Sequence, residues 1–445
     1  MKLKYFGTDG FRGKVNKDLK VEHALKIGQF LGWYFSEKKG RAACCVIGKD
    51  TRMSSYMYEY AISAGVTSVG GDAYLMHVTT SPSVSYITKV DRFDFGVMIT
   101  ASHNPYHDNG IKVFDADGNK LAEDILYQVE QYIDGEIAIP NIEEVGVCKD
   151  YIAGRNKYMG YLSSIPTESF RGYKIGLDCA NGAAHSIAKN VFQMLGADVY
   201  AISDRPDGKN INVDCGSTHI GNLQKLVRAE QLDIGFAFDG DADRCLMVNE
   251  KGEVVDGDGI MYILANYFKD RGMLRNNPIA VTVMSNLGLK NALSGKEIGA
   301  VITDVGDKYI AQALDEKKLA IGGEQSGHII VKKYANTGDG ILTALLIAEI
   351  LVSSKCLASA MVGDLKILPQ KLVNIRSDKK DEIMEDPETI AFAEKVNEEM
   401  AGRGRLLLRK SGTEPLIRIM VEAPTDEEID EVIEKTKVFL EGRKN

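Results

Sequence analysis

The amino-acid sequence predicts an α/β protein: three similar mixed α/β domains with largely parallel sheets and a smaller C-terminal α+β domain, arranged around a central cleft. Two observations support this fold class. Short β-branched runs alternate with amphipathic helical segments, and the runs are continuously apolar, which is typical of parallel strands covered by helices on both faces. The six runs are 44–48, 94–100, 173–178, 233–238, 279–284 and 319–323.

The six predicted strands form three pairs along the chain. The second strand of each pair leads into a polar, Gly-containing loop, reading "TASHNP", "DGDADR" and "GGEQSGH". This pattern indicates one α/β unit used three times. Parallel sheets bind ligands beyond the carboxyl ends of their strands, so the three loops are expected to face one cleft.

The C-terminal segment has a different pattern. A strand after 368–371, a helix near 388–400, two strands joined by "SGTEP" and a last helix predict the α+β domain. Thr425 and Glu428 predict a capping box at the start of that last helix. The predicted domains are 1–153 with the serine loop, 154–254 with the acidic loop, 255–368 with the "GGEQSGH" loop, and 369–445.

Composition restricts the class of partner. The 445 residues carry a formal net charge of −9, which disfavours nucleic acid and anionic membrane. The most apolar stretch, 341–352, is too short to span a bilayer and predicts a core helix. The N-terminal residues show no apolar targeting segment, and the seven Cys show no metal-site spacing, so we expect a cytoplasmic protein with reduced thiols.

Three carboxylates follow the fourth predicted strand at alternate positions. Asp239, Asp241 and Asp243 would repel by roughly 4 kcal/mol per pair at about 4 Å, so a cation is expected there. Oxygen ligands suit Mg²⁺ or Mn²⁺. A calcium loop ending at Glu250 is the alternative, but Arg244 stands where that loop requires Gly and a strand precedes it instead of a helix.

Ser102 offers a hydroxyl in the loop after the second strand, with His103 adjacent and Lys112 downstream. Taken alone, a Ser before Asn-Pro is more typical of a turn or a helix cap than of a nucleophile. His103 is a poor candidate base for Ser102, because consecutive side chains usually diverge.

Two further loops have residues suited to a sugar phosphate. In "GGEQSGH", Glu324, Ser326 and His328 alternate, which would place three hydrogen-bonding groups on one side of an extended loop. In "RKSGTEPLIR", two guanidinium groups flank hydroxyls and a Gly, a combination that suits a phosphate dianion. That predicted phosphate loop comprises Arg409, Ser411, Gly412, Thr413 and Arg418. The segment "GTDGFRG" similarly places Arg12 among glycines.

These loops, in this order over essentially the whole chain, resemble the α-D-phosphohexomutase superfamily. The motifs are "YFGTDGFRG", "TASHNP", "FDGDADR", "VMSNLG", "GGEQSGH" and "RKSGTEPLIR". The resemblance implies four domains around a cleft and an enzyme that moves a phosphoryl group between two positions of a hexose. It also implies one Mg²⁺ per chain, held by Asp239, Asp241, Asp243 and the phosphorylated Ser102.

Roles for the other residues also follow from the resemblance. Ser102 would carry the phosphoryl group as phosphoserine, Lys112 and His328 would be general acid and base, and His103 would be a further catalytic residue. Arg12 and Arg244 would hold charge at the transfer site. Glu324, Ser326 and His328 would bind the sugar, and the phosphate loop, Arg409, Ser411, Gly412, Thr413 and Arg418, would anchor the phosphate that is not being transferred.

The implied reaction converts glucosamine 6-phosphate into glucosamine 1-phosphate through glucosamine 1,6-bisphosphate, which serves as intermediate and activator, on the route to UDP-N-acetylglucosamine and cell wall. Gln325 in "GGEQSGH" favours the glucosamine substrate. The alternatives are mutases of mannose or glucose phosphates, and a relative that binds metal and sugar phosphate without turnover. The expected partner is a small sugar phosphate, with no nucleic acid and no membrane; homodimers are frequent among such relatives, but no patch in the sequence requires one.

Overall fold

The computed structural model describes residues 3–274, 278–410 and 415–443. The chain divides into two compact units, which we describe separately. The first consists of Met1–Met284 and Ile298–Gly363, and the second of Ser285–Glu297 and Asp364–Asn445.

The first unit begins with a seven-stranded sheet in the order β1-β2-β6-β5-β3-β4-β7. Helices α1 and α2 pack against each other, and helix α3 packs on β3 and β5. The elements are β1 (Phe6–Gly7), β2 (Gly10–Lys14), α1 (Val21–Lys39), β3 (Cys44–Lys49), α2 (Met53–Thr67), β4 (Asp72–Val78), α3 (Ser81–Val90), β5 (Phe95–Ile99), β6 (Asp108–Asp115), α4 (Glu123–Asp134), β7 (Cys148–Asp150) and α5 (Ile152–Ser163).

The second sheet of the first unit has five strands in the order β12-β11-β10-β8-β9. Its elements are β8 (Lys174–Asp178), α6 (Ala184–Met194), β9 (Asp198–Ile202), α7 (Gly221–Glu230), β10 (Ile234–Phe238), β11 (Cys245–Asn249), β12 (Val254–Val255) and α8 (Gly257–Asp270), with a short 3₁₀ turn at Gly216–Thr218. Every residue of β10 is buried, as expected for a strand covered on both faces.

The third sheet has four strands in the order β14-β13-β15-β16. Its region of the chain comprises β13 (Ile279–Thr282), α9 (Leu287–Gly295), β14 (Ala300–Thr303), α10 (Asp307–Glu316), β15 (Ile321–Gly323), β16 (Ile329–Val331) and α11 (Gly340–Ser354), with a 3₁₀ turn at Ala358–Ala360. Of these, α9 falls in the second unit. Helix α11 contains the apolar run 341–352 and buries almost its whole length, so the core-helix prediction is confirmed.

The second unit has a three-stranded antiparallel sheet in the order β17-β19-β18. Besides α9, the elements of this unit are β17 (Gln370–Arg376), α12 (Lys380–Glu385), α13 (Pro387–Glu399), β18 (Arg405–Lys410), β19 (Leu416–Glu422) and α14 (Asp426–Glu441). Thr425 caps α14, where its hydroxyl accepts a hydrogen bond from the Glu428 N–H at 3.2 Å. The predicted α+β character of the C-terminal segment is confirmed.

The first three sheets share one topology. In each, two parallel strands are central, a further parallel strand lies on one side, and an antiparallel return strand on the other: β4-β3-β5-β6, β9-β8-β10-β11 and β14-β13-β15-β16. This confirms the predicted use of one unit three times. The loops that carry the three polar motifs connect the equivalent strands, β5 to β6, β10 to β11 and β15 to β16.

Two further expectations concern composition. All seven cysteines are free thiols. Among the described residues, no helix combines the length and the apolarity that crossing a bilayer requires.

Candidate active site

Ser102 lies in the loop between β5 and β6 with a left-handed backbone, φ 50°. Few residues other than Gly adopt this conformation, and where it occurs it marks local strain that often accompanies function. The Ser102 hydroxyl is buried and donates a 2.6 Å hydrogen bond to Asp239 Oδ2 of the β10–β11 loop. If each of the three similar α/β units is called a repeat, a residue of the second repeat therefore holds the candidate nucleophile, which belongs to the first repeat.

His103 contacts Ser102, contrary to the expectation that the two side chains diverge. Its Nδ1 lies 3.2 Å from Ser102 Oγ, because the left-handed backbone at Ser102 brings the two side chains to the same side of the chain. Burial, together with the positive charges of Arg244 and Arg12, lowers the pKa of His103 to about 4. His103 is thus a neutral imidazole at neutral pH.

Two residues that the sequence analysis did not single out hold the backbone of the serine loop. Arg52 donates to the carbonyl oxygens of Ser102 and Asn104 at 3.2 and 2.5 Å, and Asn212 donates to the same two oxygens at 2.8 and 3.1 Å. Arg52 is fully buried and also pairs with Asp50. The one sequence signal concerns Arg52, whose loop "GKDTR" (48–52) follows a predicted strand as the serine loop does.

The acidic triad is brought together as predicted. One carboxylate oxygen from each of Asp239, Asp241 and Asp243 lies within 4.8 Å of the others, and all three residues are buried. Burial and the two neighbouring carboxylates raise the pKa of Asp239 well above its usual range. Glu250 does not join the triad, since it binds Ser359 through the backbone N–H at 2.8 Å and the hydroxyl at 2.5 Å. The calcium-loop alternative is therefore not supported.

Two buried oxygens of the triad suit a metal ion. Asp241 Oδ1 and Asp243 Oδ1 find no hydrogen-bond partner among the described residues. Buried carboxylate oxygens without a donor are costly, and a divalent cation would satisfy them. The donor set, three carboxylates beside the Ser102 hydroxyl, fits a hard cation.

Lys112 places a positive charge in direct contact with the triad. It lies on β6 opposite Met98 of β5, and its Nζ lies 2.8 Å from Asp241, 2.9 Å from Asp243 and 3.1 Å from Asp9. Burial disfavours the ammonium, but these three carboxylates outweigh it and raise the pKa of Lys112 well above its usual range. Lys112 is a buried cation in contact with the candidate metal ligands.

His328 lies on the other side of Asp243. Its Nδ1 is 3.8 Å from Asp243 Oδ1, and its Nε2 is 3.8 Å from Asp307 Oδ2. Burial opposes the charged ring, but Asp243, Asp307 and Glu324 outweigh it and raise the pKa of His328 to about 9. The Gly338 N–H, 3.2 Å from Nε2, acts in the opposite direction, because it donates to the lone pair that the neutral ring carries there. The three nearby carboxylates stabilise the charged imidazole more than one amide dipole stabilises the neutral form, so we assign the charged form to His328 at neutral pH.

Arg12 and Arg244, the two arginines predicted at the transfer site, each have a buried nitrogen that makes no hydrogen bond to the described residues. Arg12 pairs with Asp9, yet its Nε has no hydrogen-bond partner among the described residues, and the same is true of Arg244 Nε. Asp239 and Asp243 lie near Arg244 and raise its pKa, although burial alone would lower it. Buried guanidinium N–H groups of this kind are available to an anion.

The "GGEQSGH" loop is a tight turn and not the extended loop that was expected. The Gly327 N–H donates to the Glu324 carbonyl at 2.9 Å, and Gly327 has φ 91°. A left-handed Gly is required there, because a Cβ at Gly327 would lie 2.4 Å from the Cys245 carbonyl oxygen. The Ser326 hydroxyl lies 3.5 Å from the Glu324 carboxylate, while His328 contacts Asp243 instead.

In the second unit, Arg409 and Arg418 are directly opposite each other on β18 and β19. Two of the predicted phosphate-binding residues thus lie side by side on these paired strands. Ser411, Gly412 and Thr413, the other predicted phosphate-binding residues, lie outside the described residues.

Gly338 packs against the His328 ring, which gives a test of how much the ring position matters. A Cβ at this residue would lie 2.5 Å from Cε1 and Nε2 of His328. Gly338→Ala is expected to displace the imidazole from Asp243 and to lower kcat on the order of 100-fold, the typical contribution of one positioned acid or base. Gly160→Ala, in helix α5 with open space around it, should leave kcat unchanged. Equal kcat values for the two variants would contradict a role for the ring position.

Comparisons with known proteins agree with this geometry. The chain matches the phosphoglucomutase/phosphomannomutase alpha/beta/alpha domains I, II and III over residues 3–138, 150–252 and 256–366, and the C-terminal domain of the same enzymes over 372–437. It is 53% identical to phosphoglucosamine mutase of Lachnospira eligens over 443 residues, 98% of each protein. It is 46% identical to phosphoglucosamine mutase of Streptococcus pneumoniae serotype 19F over 96% of each.

Solved structures show the same fold. A phosphoglucomutase/phosphomannomutase family protein from Burkholderia thailandensis superposes with a TM-score of 0.84 at 22% identity, over 99% of this chain and 98% of that one. N-acetylphosphoglucosamine mutase of Aspergillus fumigatus, solved with GlcNAc-6P and magnesium, gives a TM-score of 0.71 at 18% identity, over 98% and 95% of the two chains. With the four domain matches and the identities above, the chain belongs to the phosphoglucosamine mutase family of the α-D-phosphohexomutase enzymes.

Proposed function

We propose that this enzyme interconverts glucosamine 6-phosphate and glucosamine 1-phosphate, with Ser102 as the residue that carries the phosphoryl group. The observation that carries the proposal is the 2.6 Å contact between the Ser102 hydroxyl and Asp239 of the buried triad. A strained, buried serine held against one carboxylate of a triad that suits a divalent cation is an arrangement for a group that gains and loses a phosphate, because the cation would offset the phosphate charge.

The reaction begins with phosphorylated Ser102. The free hydroxyl oxygen of the sugar forms a bond to phosphorus, the bond from phosphorus to Ser102 Oγ breaks, and the hydroxyl proton passes to a basic side chain. The product is glucosamine 1,6-bisphosphate. After the sugar turns over, its other phosphate returns to Ser102 Oγ, and the sugar oxygen that is released regains a proton.

Lys112 and His328 are the proposed acid and base. Both are buried cations next to Asp243, so either can donate a proton to a leaving oxygen. Lys112 shares Asp241 and Asp243 with the proposed metal site, so metal binding would lower the pKa of Lys112 toward a form that accepts a proton. We place His103 beside them only as a neutral hydrogen-bonding group of the serine loop.

Asp239, Asp241, Asp243 and Ser102 would hold one Mg²⁺. The bound ion would offset the charge that develops on the transferring phosphoryl oxygens. The magnesium in the A. fumigatus enzyme structure supports the choice of ion.

The remaining site residues would bind the substrate. Arg12 and Arg244, each with a buried unpartnered Nε, would hold the phosphate being transferred. Glu324 and Ser326 would bind sugar hydroxyls. The phosphate that is not transferred would be anchored by Arg409, Ser411, Gly412, Thr413 and Arg418. One anchor and one transfer site can serve both half-reactions only if the sugar turns over between them.

The names of the relatives support glucosamine as the sugar. The product would enter UDP-N-acetylglucosamine synthesis, as the family resemblance implies, and we place the enzyme in the cytoplasm, as the N-terminal residues predict. Mannose and glucose phosphates are the competing substrates, because exchanging an amino group for a hydroxyl is a small change for a binding site to detect.

The test measures kcat/KM on glucosamine 6-phosphate, mannose 1-phosphate and glucose 1-phosphate in coupled assays, together with the intact mass of the protein. We expect the highest kcat/KM on glucosamine 6-phosphate and one added phosphate that maps to Ser102 after incubation with the bisphosphate. A higher kcat/KM for either sugar without the amino group would overturn the substrate assignment. A phosphate that maps to another residue would overturn the assignment of Ser102.

A further inference from the structure

Six side chains next to the acidic triad form a closed ring in which basic and acidic groups alternate. Each contacts two ring neighbours, and the three α/β repeats all contribute. In order around the ring, the residues are Lys112, Asp9, Lys120, Asp307, His328 and Asp243.

The distances divide the ring into a tight half and a looser half. Lys112 Nζ lies 3.1 Å from Asp9 Oδ2, Asp9 Oδ1 lies 3.1 Å from Lys120 Nζ, and Lys120 Nζ lies 2.5 Å from Asp307 Oδ2. His328 then joins Asp307 to Asp243 at 3.8 Å on each side, and Asp243 returns to Lys112 at 2.9 Å.

Lys120 is the member that joins two otherwise separate carboxylates. It lies in the segment between β6 and α4, and its Nζ also donates to the Thr8 carbonyl at 2.8 Å. Asp9 comes from the turn between β1 and β2, and Asp307 is the first residue of α10 in the third repeat. Without the ammonium, these two carboxylates would face each other and repel.

The ring borders a cavity. Five of the six ring residues, all but Asp243, line a cavity of about 470 Å³, whose lining also includes apolar residues such as Leu3 and Ile330 and polar ones such as Asn119 and Gln312. Lys120 and Asp307 form the link between Asp9 and His328, so removing either one opens the ring at that point.

We propose that Lys120 and Asp307 are positioning residues for phosphoryl transfer, which hold Lys112 through Asp9 on one side and His328 directly on the other. This inference rests on the proposed function, because it assumes that Lys112 and His328 move the proton. Neither Lys120 nor Asp307 belongs to the loops proposed to bind the sugar or its phosphates, so their loss should affect the chemical step and not substrate binding.

The test compares kcat and KM on glucosamine 6-phosphate for the intact protein and its variants. Lys120→Met removes the ammonium and keeps most of the side-chain length. We expect kcat to fall about 10- to 100-fold, as is typical when a residue that orients a reactive group is lost, with KM changed less than about twofold. Lys120→Arg, which keeps the charge, should recover most of the lost kcat.

Asp307→Asn tests the other member of the pair. It should lower kcat in the same range, and combining it with Lys120→Met should cost less than the product of the two single effects. Each single change leaves one unbalanced charge in the ring, whereas the double change removes a charge of each sign.

The chain offers a matched control in Lys308→Met. Lys308 is adjacent to Asp307 and joins the same two repeats through Glu123 at 3.0 Å, but it lies outside the ring. Its kcat should equal that of the unmodified enzyme. If joining the repeats were all that mattered, both lysine variants would lose kcat equally, and that result would overturn the inference.

Other outcomes also decide the question. If the unmodified enzyme has no activity on glucosamine 6-phosphate, the proposed function fails on its own. If that enzyme is active, then unchanged kcat in Lys120→Met and Asp307→Asn, or a loss that appears only in KM, overturns the positioning role. Thermal unfolding identifies any variant that fails to fold, and Asp307→Asn then decides alone, with full kcat counting against the proposal.

Discussion

Ser102→Ala is expected to abolish mutase activity, with kcat reduced on the order of 10⁴-fold or more, while the protein keeps its fold. Without the hydroxyl no phosphoserine can form, and the rest of the site cannot replace a covalent step. The structural cost is small, because the substitution removes one hydrogen bond to Asp239 and leaves the backbone to Arg52 and Asn212. We expect a stability loss of about 1 kcal/mol, measured by chemical unfolding.

The Ser102→Ala variant should still bind the bisphosphate although it cannot turn over substrate. Arg12, Arg244, Glu324 and Ser326 are all retained, so titration calorimetry should still detect glucosamine 1,6-bisphosphate. Ser83→Ala is the matched control, since Ser83 is also buried and its hydroxyl has no hydrogen-bond partner among the described residues. That variant should remain fully active. Activity above about 1% in Ser102→Ala would refute the phosphoserine role.

The sequence predicted the parts of the site that each repeat supplies by itself. The continuous apolar runs predicted β5, β10 and β15, and alternate spacing after β10 predicted the triad, because both are local patterns. Two predictions of local geometry were wrong: that the side chains of Ser102 and His103 diverge, and that the "GGEQSGH" loop is extended. Both errors arise from left-handed residues, Ser102 and Gly327, whose conformations depend on contacts with other parts of the chain.

The contacts between residues of different repeats could not be predicted from the sequence. Asp9, Lys120 and Asp307 stand in separate segments, and nothing in their spacing indicates that one ammonium joins two carboxylates. Neither Arg52 nor Asn212 was predicted, although the two hold the same two carbonyl oxygens from different repeats. Pairings of this kind depend on how the sheets pack together, which periodicity does not encode.

Lys112→Met is expected to have the second largest effect and to link stability to metal binding. In metal-free protein, removing the ammonium leaves Asp9, Asp241 and Asp243 without their shared cation. Breaking a buried ion pair from one side typically costs about 3–5 kcal/mol. The free energy of unfolding, measured with a chelator present, should fall by about that amount. Lys157→Met, which removes an exposed pair with Asp91, should change it by less than about 0.5 kcal/mol.

Added Mg²⁺ should restore more stability to Lys112→Met than it adds to the unmodified enzyme. Stabilisation by a ligand grows with its affinity for the folded state, and in the variant the cation meets carboxylates that no ammonium shares. The loss of kcat, about 10²- to 10⁴-fold, should nevertheless persist at saturating Mg²⁺, because the ion replaces the charge of Lys112 but not its transferable proton. An equal gain in stability from Mg²⁺ in both proteins would show that Lys112 and the metal do not compete for Asp241 and Asp243. Recovery of kcat with Mg²⁺ would show instead that Lys112 contributes only charge, and His328 would then be the remaining candidate for moving the proton.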